Sequence, residues 1–263
     1  MSVLKNKRHE ARTEYEEKYK RFYAYMSARL GSVPKRRKRW LGVRIESELN
    51  RVYECAISIT EANRQRYSAL QTQKDQTVVE LLQALLRLSK PLTVLCNVME
   101  YEDKSIMHMY SLIDEFGLCA AKQHSYIKYI PLQSFKPWLL RRVEFGANMM
   151  KLHKYTHGKV VKLSNKHAET SGALLINLVD TALYCVSAAN DIFPTNQQQF
   201  LMRQKLIETA IVSLQGMNRP MISLYALCGY SNEVQIEWAK MLNDEIQLLR
   251  GLRESDRKRF GRL

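Results

Sequence analysis

The feature that most constrains the fold is an apolar stripe with a helical period in the stretch Ser32–Asn63. Apolar residues recur there alternately four and three positions apart, at Ile45, Leu49, Val52, Ala56 and Ile59. This spacing keeps one face of a helix turned toward a partner over several turns. Pro34 suits the first helical turn, because the N–H that proline lacks would have no partner there. The stretch predicts a long helix that begins near Pro34 and packs its stripe into a bundle core.

Comparable periods before and after this stretch predict further helices. Only 10 Gly and 6 Pro occur in 263 residues, which suits long helices with few turns. We therefore predict an all-α fold of two tandem antiparallel helical bundles of four-helix type. The predicted parts are a first bundle at 1–130, a basic and partly helical connector at 131–167, and a second bundle with a basic, mobile tail at 168–263.

The second bundle lacks a fourth helix of its own. Only three good amphipathic patterns follow Ala168, and three helices with a wide apolar seam leave one groove open. The segment Trp138–Leu152 can fill this groove, because its apolar residues share one face and its cations stay outside. A partner protein is the alternative occupant. We expect the segment to stabilise residues 168–252 more than residues 10–128.

Charge points to a polyanionic partner. The chain has 41 Lys+Arg against 26 Asp+Glu, a net charge of +15. Five successive cations, Lys35–Arg39, lie at the positive end of a helix dipole, so helix stability does not explain them. A solvated charged turn is the alternative interpretation. The candidate nucleic-acid-binding residues are Lys35, Arg36, Arg37, Lys38, Arg39, Arg44, Arg141, Arg142, Lys151, Lys154, Arg257, Lys258 and Arg259.

A short motif occurs twice. Val33-Pro34 and Phe193-Pro194 are each followed by five polar residues, an aromatic residue and Leu, and each opens a longer helical pattern. The five positions read KRRKR in the first copy and TNQQQ in the second. We interpret the motif as an internal repeat whose fold does not require the cations.

These motifs resemble a family of bacterial four-helix bundles. Residues 10–128, through VPKRRKRWLGVRIE, ITEAN, LLQALLRLS and IDEFGLCAAKQ, are similar to the accessory variability determinant (Avd) proteins of diversity-generating retroelements. Residues 170–252, through FPTNQQQFLMRQKLIETAIVS and SNEVQIEWAKMLNDEIQLLR, resemble proteins encoded in ribosomal-RNA intervening sequences. The resemblance implies a non-catalytic, basic partner of a retroelement reverse transcriptase and its structured RNA.

The sequence lacks the motifs that mark common catalytic and metal-binding sites. The sequence has no Gly-rich phosphate loop, H-E-x-x-H or nucleophile elbow, so we predict no enzyme activity and no cofactor. His153, His157 and His167 suggest a metal, but no Cys or carboxylate cluster joins them in the sequence, and we predict no metal site. Five single cysteines and the lack of a signal-like apolar start favour a cytoplasmic protein without membrane contact.

Two function classes remain open. The chain is either an RNA-binding accessory subunit of a ribonucleoprotein with a reverse transcriptase, or an oligomerising helical scaffold of a phage or mobile element with non-specific nucleic-acid affinity. Clustering of the cations favours the first class. A homo-oligomer is compatible with both.

Overall fold

The computed structural model describes residues 2–64, 68–123 and 137–263. The regular elements of these ranges are helices and no strand occurs among them, so the prediction of an all-α fold is confirmed. The described residues form two compact units. Unit 1 contains residues 2–64, 68–92 and 101–123, and unit 2 contains residues 93–100 and 137–263.

The described ranges contain eleven α-helices. Their bounds are α1 Ser2–Gly31, α2 Lys35–Arg37, α3 Val43–Arg64, α4 Ser68–Val98, α5 Asp103–Ala121, α6 Glu144–Val160, α7 Asn165–His167, α8 Ala173–Asp191, α9 Gln197–Gly216, α10 Asn218–Cys228 and α11 Asn232–Phe260. Two π-helical segments, Lys38–Gly42 and Ala168–Gly172, lead into α3 and α8, and a 3-10 helix, Pro137–Arg142, precedes α6.

Unit 1 is organised around the predicted stripe of α3. The five apolar residues of the stripe are all buried, which confirms the assignment of this face to a core. α1 packs against α3 and α5, and its aromatic residues meet Phe116 of α5. Phe22 stacks on Phe116 with ring centroids 5.6 Å apart. The ring centroid of Tyr15 lies 5.5 Å from that of Phe116. Burial of these rings contributes a large share of the apolar area that holds unit 1 together.

Helix α4 contains a proline in its interior. It begins at Ser68 and continues through Pro91 to Val98. A proline inside a helix removes one backbone hydrogen bond and crowds the preceding turn. Leu88, Leu92 and Leu95 are fully buried on either side of Pro91, and their packing offsets that cost.

Unit 2 is built from α6, α8, α9 and α11. α8 packs against α6 and α9, and α11 packs against the same two helices. Helix α6 lies within the segment that we predicted as a connector, yet it contributes Met149, Leu152 and Val160 to the core of unit 2. Helix α6 supplies the fourth long helix that the sequence left missing, although it starts and ends later than the predicted segment.

The two units share a backbone device at the start of one long helix. In unit 1, α2 is followed by the π-helical segment Lys38–Gly42; in unit 2, α7 is followed by Ala168–Gly172. Both segments end in a glycine with little room for a side chain, since a Cβ would lie 2.5 Å from Lys38 Cγ at Gly42 and 3.0 Å from Val160 Cγ1 at Gly172. The structural repeat therefore aligns α3 with α8.

This alignment corrects the repeat that we inferred from Pro34 and Pro194. The helix after Pro194 is α9, which begins directly at Gln197 with Asn196 as its cap. The Asn196 side chain accepts a hydrogen bond from the Gln199 N–H at 3.0 Å. Proline is common at helix starts in general, so the shared motif matched α3 to a helix that begins without a π-helical segment.

The basic tail is part of a helix, which corrects our prediction of a mobile segment. α11 continues to Phe260, and Asp256 in its last turns is 1% exposed. Arg203 of α9 donates to Asp256 Oδ2 at 2.5 Å and to the backbone oxygens of Ala189 and Ile192 at 2.6 and 2.8 Å. This buried ion pair joins the ends of α8, α9 and α11.

One helical range has the length and composition of a membrane span. Residues Ala168–Asp191 reach a mean hydropathy of 1.5 over their most apolar window, and 67% of that window is buried inside the protein. The core helix of a folded domain has the same properties, and α8 occupies the core of unit 2.

Candidate functional site

The predicted phosphate-binding cations of unit 1 lie at the start of α3. Pro34 precedes the first turn, and α2 and the π-helical segment place these residues at a helix N-terminus, as predicted. Lys35 and Arg44 are exposed. Lys38 forms a half-exposed ion pair with Glu46 at 3.1 Å. The side chains of Arg36 and Arg39 lie outside the described part of the chain.

The cations of α6 form an exposed basic face in unit 2. Lys151, Lys154 and Lys162 are all exposed and recur at helical spacing, on the side opposite the buried residues of α6. Arg141 and Arg142, in the 3-10 helix just before α6, are also exposed. We call Arg141, Arg142, Lys151, Lys154 and Lys162 the α6 basic face. Lys154 pairs with Glu100, and a surface pair of this kind contributes little to stability and can exchange for a phosphate.

The third cluster ends α11. Arg257, Lys258 and Arg259 are exposed in the last turn, where cations interact favourably with the helix dipole. Arg257 pairs with Glu254 at 3.0 Å, and the Arg259 guanidinium lies 5.3 Å from the ring centroid of Phe260. The predicted cations thus divide between the units, with those of 35–44 in unit 1 and the others in unit 2.

A buried polar cluster in unit 2 was missed by the sequence analysis. His153 and His157, one turn apart on α6, both direct Nε2 at Oδ1 of Asp180 on α8, at 3.0 and 2.8 Å. The three residues are 0, 5 and 2% exposed. Our argument against a metal there was that no carboxylate joins the histidines, and Asp180 overturns that premise. His167 is not part of the cluster.

Hydrogen bonds fix the protonation of the cluster. The Asn97 side-chain nitrogen lies 3.1 Å from the backbone oxygen of Met150 and 2.9 Å from Nδ1 of His153. A carbonyl oxygen only accepts, so Asn97 donates to both atoms and Nδ1 of His153 is an acceptor. His153 therefore carries its proton on Nε2 and donates it to Asp180. The cluster ties α6 and the end of α4 to α8.

Burial and contacts within the cluster shift the pKa values of His153 and Asp180. Burial, together with the nearby His157, lowers the pKa of His153 to about 4, although Asp180 acts in the opposite direction. Burial alone would raise the pKa of Asp180, but the hydrogen bonds from His153 and His157 outweigh it and hold that pKa well below its usual range. The cluster therefore contains an ionised carboxylate and a neutral His153 at neutral pH.

The histidine pair was visible in the sequence, but its third member was not. A His-x-x-x-His spacing places two imidazoles on one helix face, and this signal was considered. Asp180 instead marked the end of the most apolar stretch, Ala173–Val179. Only the packing of α8 on α6 brings the carboxylate to the imidazoles.

A second buried polar group in the core of unit 2 is the carboxyl group of Glu245. Glu245 of α11 is fully buried, and neither of its carboxylate oxygens has a hydrogen-bond partner among the described residues. Burial raises the pKa of Glu245 to about 9, so this side chain is protonated at neutral pH.

Comparison with protein-family models, curated proteins and solved structures finds no match to this chain. The resemblance to the Avd and intervening-sequence proteins therefore stays a prediction.

Proposed function

We propose that the protein is a non-catalytic RNA-binding protein that holds RNA mainly through its phosphates. The observation that carries the proposal is the α6 basic face, because its cations are exposed while the opposite side of the same helix is buried in the core. The net charge of +15 supplies the long-range attraction that draws a polyanion to such a surface. The exposed cations at the start of α3 and the end of α11 add further phosphate contacts.

The finer form of the proposal is a role as accessory subunit of a retroelement reverse transcriptase. It rests on the family resemblance and adds two binding partners, the polymerase and its structured template RNA. In this role the protein supports cDNA synthesis without contributing a catalytic group.

Salt dependence tests the phosphate contacts. With a structured RNA hairpin as probe, binding of the full chain is measured by fluorescence anisotropy over a series of salt concentrations. Neutralisation of about six phosphates gives a slope of log K against log salt of roughly −4 to −5. A slope near zero contradicts the proposal.

A matched pair of variants locates the contacts. Replacing Lys151 and Lys154 by Gln should reduce the magnitude of the slope by about 1–2, since each lost phosphate contact removes about one unit or less. Replacing Lys205 and Lys240 by Gln removes the same charge from exposed positions outside the predicted clusters. This control pair should leave the slope nearly unchanged, and equal losses in both variants would indicate net charge rather than a defined surface.

A second candidate function is an oligomerising scaffold, which is favoured by exposed apolar side chains in unit 2. Ile222 and Ile236 are 59 and 67% exposed, and others on α9 and α10 are comparable. Apolar residues in such numbers are typical of surfaces that contact another protein. Sequencing the RNA that co-purifies separates the two functions: one defined RNA supports the accessory subunit, and a random mixture supports the scaffold.

A further inference from the structure

The buried cluster of unit 2 places three metal-ligating atoms around one point. Nε2 of His153 and Nε2 of His157 lie 3.0 and 2.8 Å from Oδ1 of Asp180, and one ligand atom of each residue lies within 4.8 Å of those of the other two. They come from two helices, α6 and α8. Their hydrogen bonds lower the cost of burying them, and a shared cation would also neutralise the buried Asp180 carboxylate.

We propose that His153, His157 and Asp180 form a structural site for a divalent transition-metal ion of the zinc class. Imidazole nitrogen and carboxylate oxygen are common ligands of this ion, at about 2.0–2.2 Å. The edge of a tetrahedron with these bond lengths is about 3.3 Å. The nitrogen–oxygen separations of 2.8 and 3.0 Å reach that value when each widens by a few tenths of an ångström.

Burial decides the role of the ion. All three side chains are almost completely inaccessible, so no substrate reaches the centre and the site is not catalytic. Structural zinc sites are usually four-coordinate and closed to substrate. These residues supply three of the ligands, and a bound water molecule would supply the fourth. An ion held here joins α6 to α8 and stabilises unit 2.

Asn97 makes the proposal distinguishable from a plain hydrogen-bond network. Its amide nitrogen now donates to Nδ1 of His153, which keeps the proton on Nε2. A metal on Nε2 requires the other tautomer, so the Asn97 amide must turn and accept the Nδ1 proton through its oxygen. That rotation gives up the hydrogen bond to the Met150 oxygen. An Asp at position 97 has no donor for the Met150 oxygen even without a metal, so metal binding breaks no further hydrogen bond there, and its carboxylate accepts the Nδ1 proton in a carboxylate–histidine–metal arrangement.

Metal content tests the proposal on the full chain. The protein is stripped with a chelator, dialysed against Zn²⁺ and assayed by elemental analysis, and Co²⁺ is used to record visible absorption. We expect about one Zn²⁺ per chain and the intense Co²⁺ bands of a four-coordinate site. A wild-type chain that retains no Zn²⁺, or that gives only the weak spectrum of hydrated Co²⁺, overturns the proposal.

Variants assign the ion to the cluster. His157→Gln and Asp180→Asn should lose more affinity than the about 10- to 100-fold typical of a changed supporting residue, and Asn97→Asp should gain about 10-fold. His167→Gln, outside the cluster, should bind as the wild type does. Binding that is unchanged in Asp180→Asn overturns the assignment. Should Asp180→Asn not fold by circular dichroism, the Asn97→Asp comparison decides: tighter binding supports the site, and unchanged or weaker binding counts against it.

Discussion

The starts of α3 in unit 1 and α8 in unit 2 have the same backbone conformation and different side chains. Each consists of a three-residue helix and a π-helical segment that ends in glycine. Residues 35–39 are all cations, whereas residues 165–169 read Asn-Lys-His-Ala-Glu. Since this backbone forms with either set of side chains, it does not depend on the cations. Their mutual repulsion costs a little stability that this backbone does not require.

The cores of the two units also differ. The centre of unit 1 is a cluster of aromatic rings around Phe116. Among the described residues, unit 1 buries one carboxyl group, that of Asp114, and unit 2 buries three, those of Asp180, Glu245 and Asp256. Apolar packing varies little with pH, but a buried carboxyl group makes stability depend on its proton or its partner. Unit 2 should therefore respond more strongly than unit 1 to pH and to single polar substitutions. Four experiments compare the two units.

The largest effect is expected from Arg203→Ala. The change leaves Asp256 buried without its guanidinium partner, and loss of one member of a buried pair costs about 3–5 kcal/mol. It also removes the donors to the Ala189 and Ile192 oxygens. Hydrogen exchange should show weaker protection throughout unit 2. Arg250→Ala, at an exposed position of α11, is the control, and an equal small loss in both variants would contradict the structural role of the pair.

Leu152→Ala tests whether α6 belongs to unit 2 alone. Leu152 is fully buried in the core of unit 2, and truncation of such a leucine costs about 2–5 kcal/mol. We expect protection against hydrogen exchange to fall in residues 168–252 and to remain in residues 10–64, 68–92 and 101–123. Lys151→Ala, exposed on the same helix, should change neither range. A uniform loss in both ranges would show that the helix supports the whole chain.

Glu245→Leu should stabilise unit 2 in a pH-dependent way. The folded pKa of Glu245 is raised to about 9 from 4.5, so the native state keeps a proton that the unfolded state releases above pH 4.5. Wild-type stability therefore falls as pH rises from about 4.5 to 9, and the variant loses this dependence. We expect a gain of about 2 kcal/mol at pH 8 and a smaller gain at pH 4, by urea denaturation. Asp244→Leu, at the exposed neighbouring position, is the control; a gain independent of pH would argue against a protonated Glu245.

The smallest change in stability is expected from grafting the start of α8 onto α3. Residues 35–39 become Asn-Lys-His-Ala-Glu, which keeps the backbone device and removes the cation cluster. Stability should stay within about 0.5 kcal/mol by thermal denaturation, because only dipole and like-charge terms change. RNA affinity should fall and the salt slope should decrease in magnitude, while the Lys205 and Lys240 double variant does not change. An unfolded graft would mean that the cations are structural after all.

The sequence predicted the elements that have a strong period, and it was less accurate for bounds and for the charged end of α11. The stripe of α3 was assigned correctly because its alternating spacing fits only a helix that is buried on one face. A packed helix was expected at Trp138–Leu152, but α6 runs from Glu144 to Val160. The end of α11 was predicted to be mobile because its residues are mostly charged, and nothing local shows that Asp256 meets Arg203 from α9.

The sequence by itself determined that the chain is helical, basic and rich in amphipathic faces, because helical period and charge are local properties of neighbouring residues. Tertiary structure alone decided which helix starts correspond, which helices share a core, and that Asp180 lies beside His153 and His157. These depend on contacts between residues far apart in the sequence. Spacing constrains side chains within one helix, and only packing fixes which helix lies beside which.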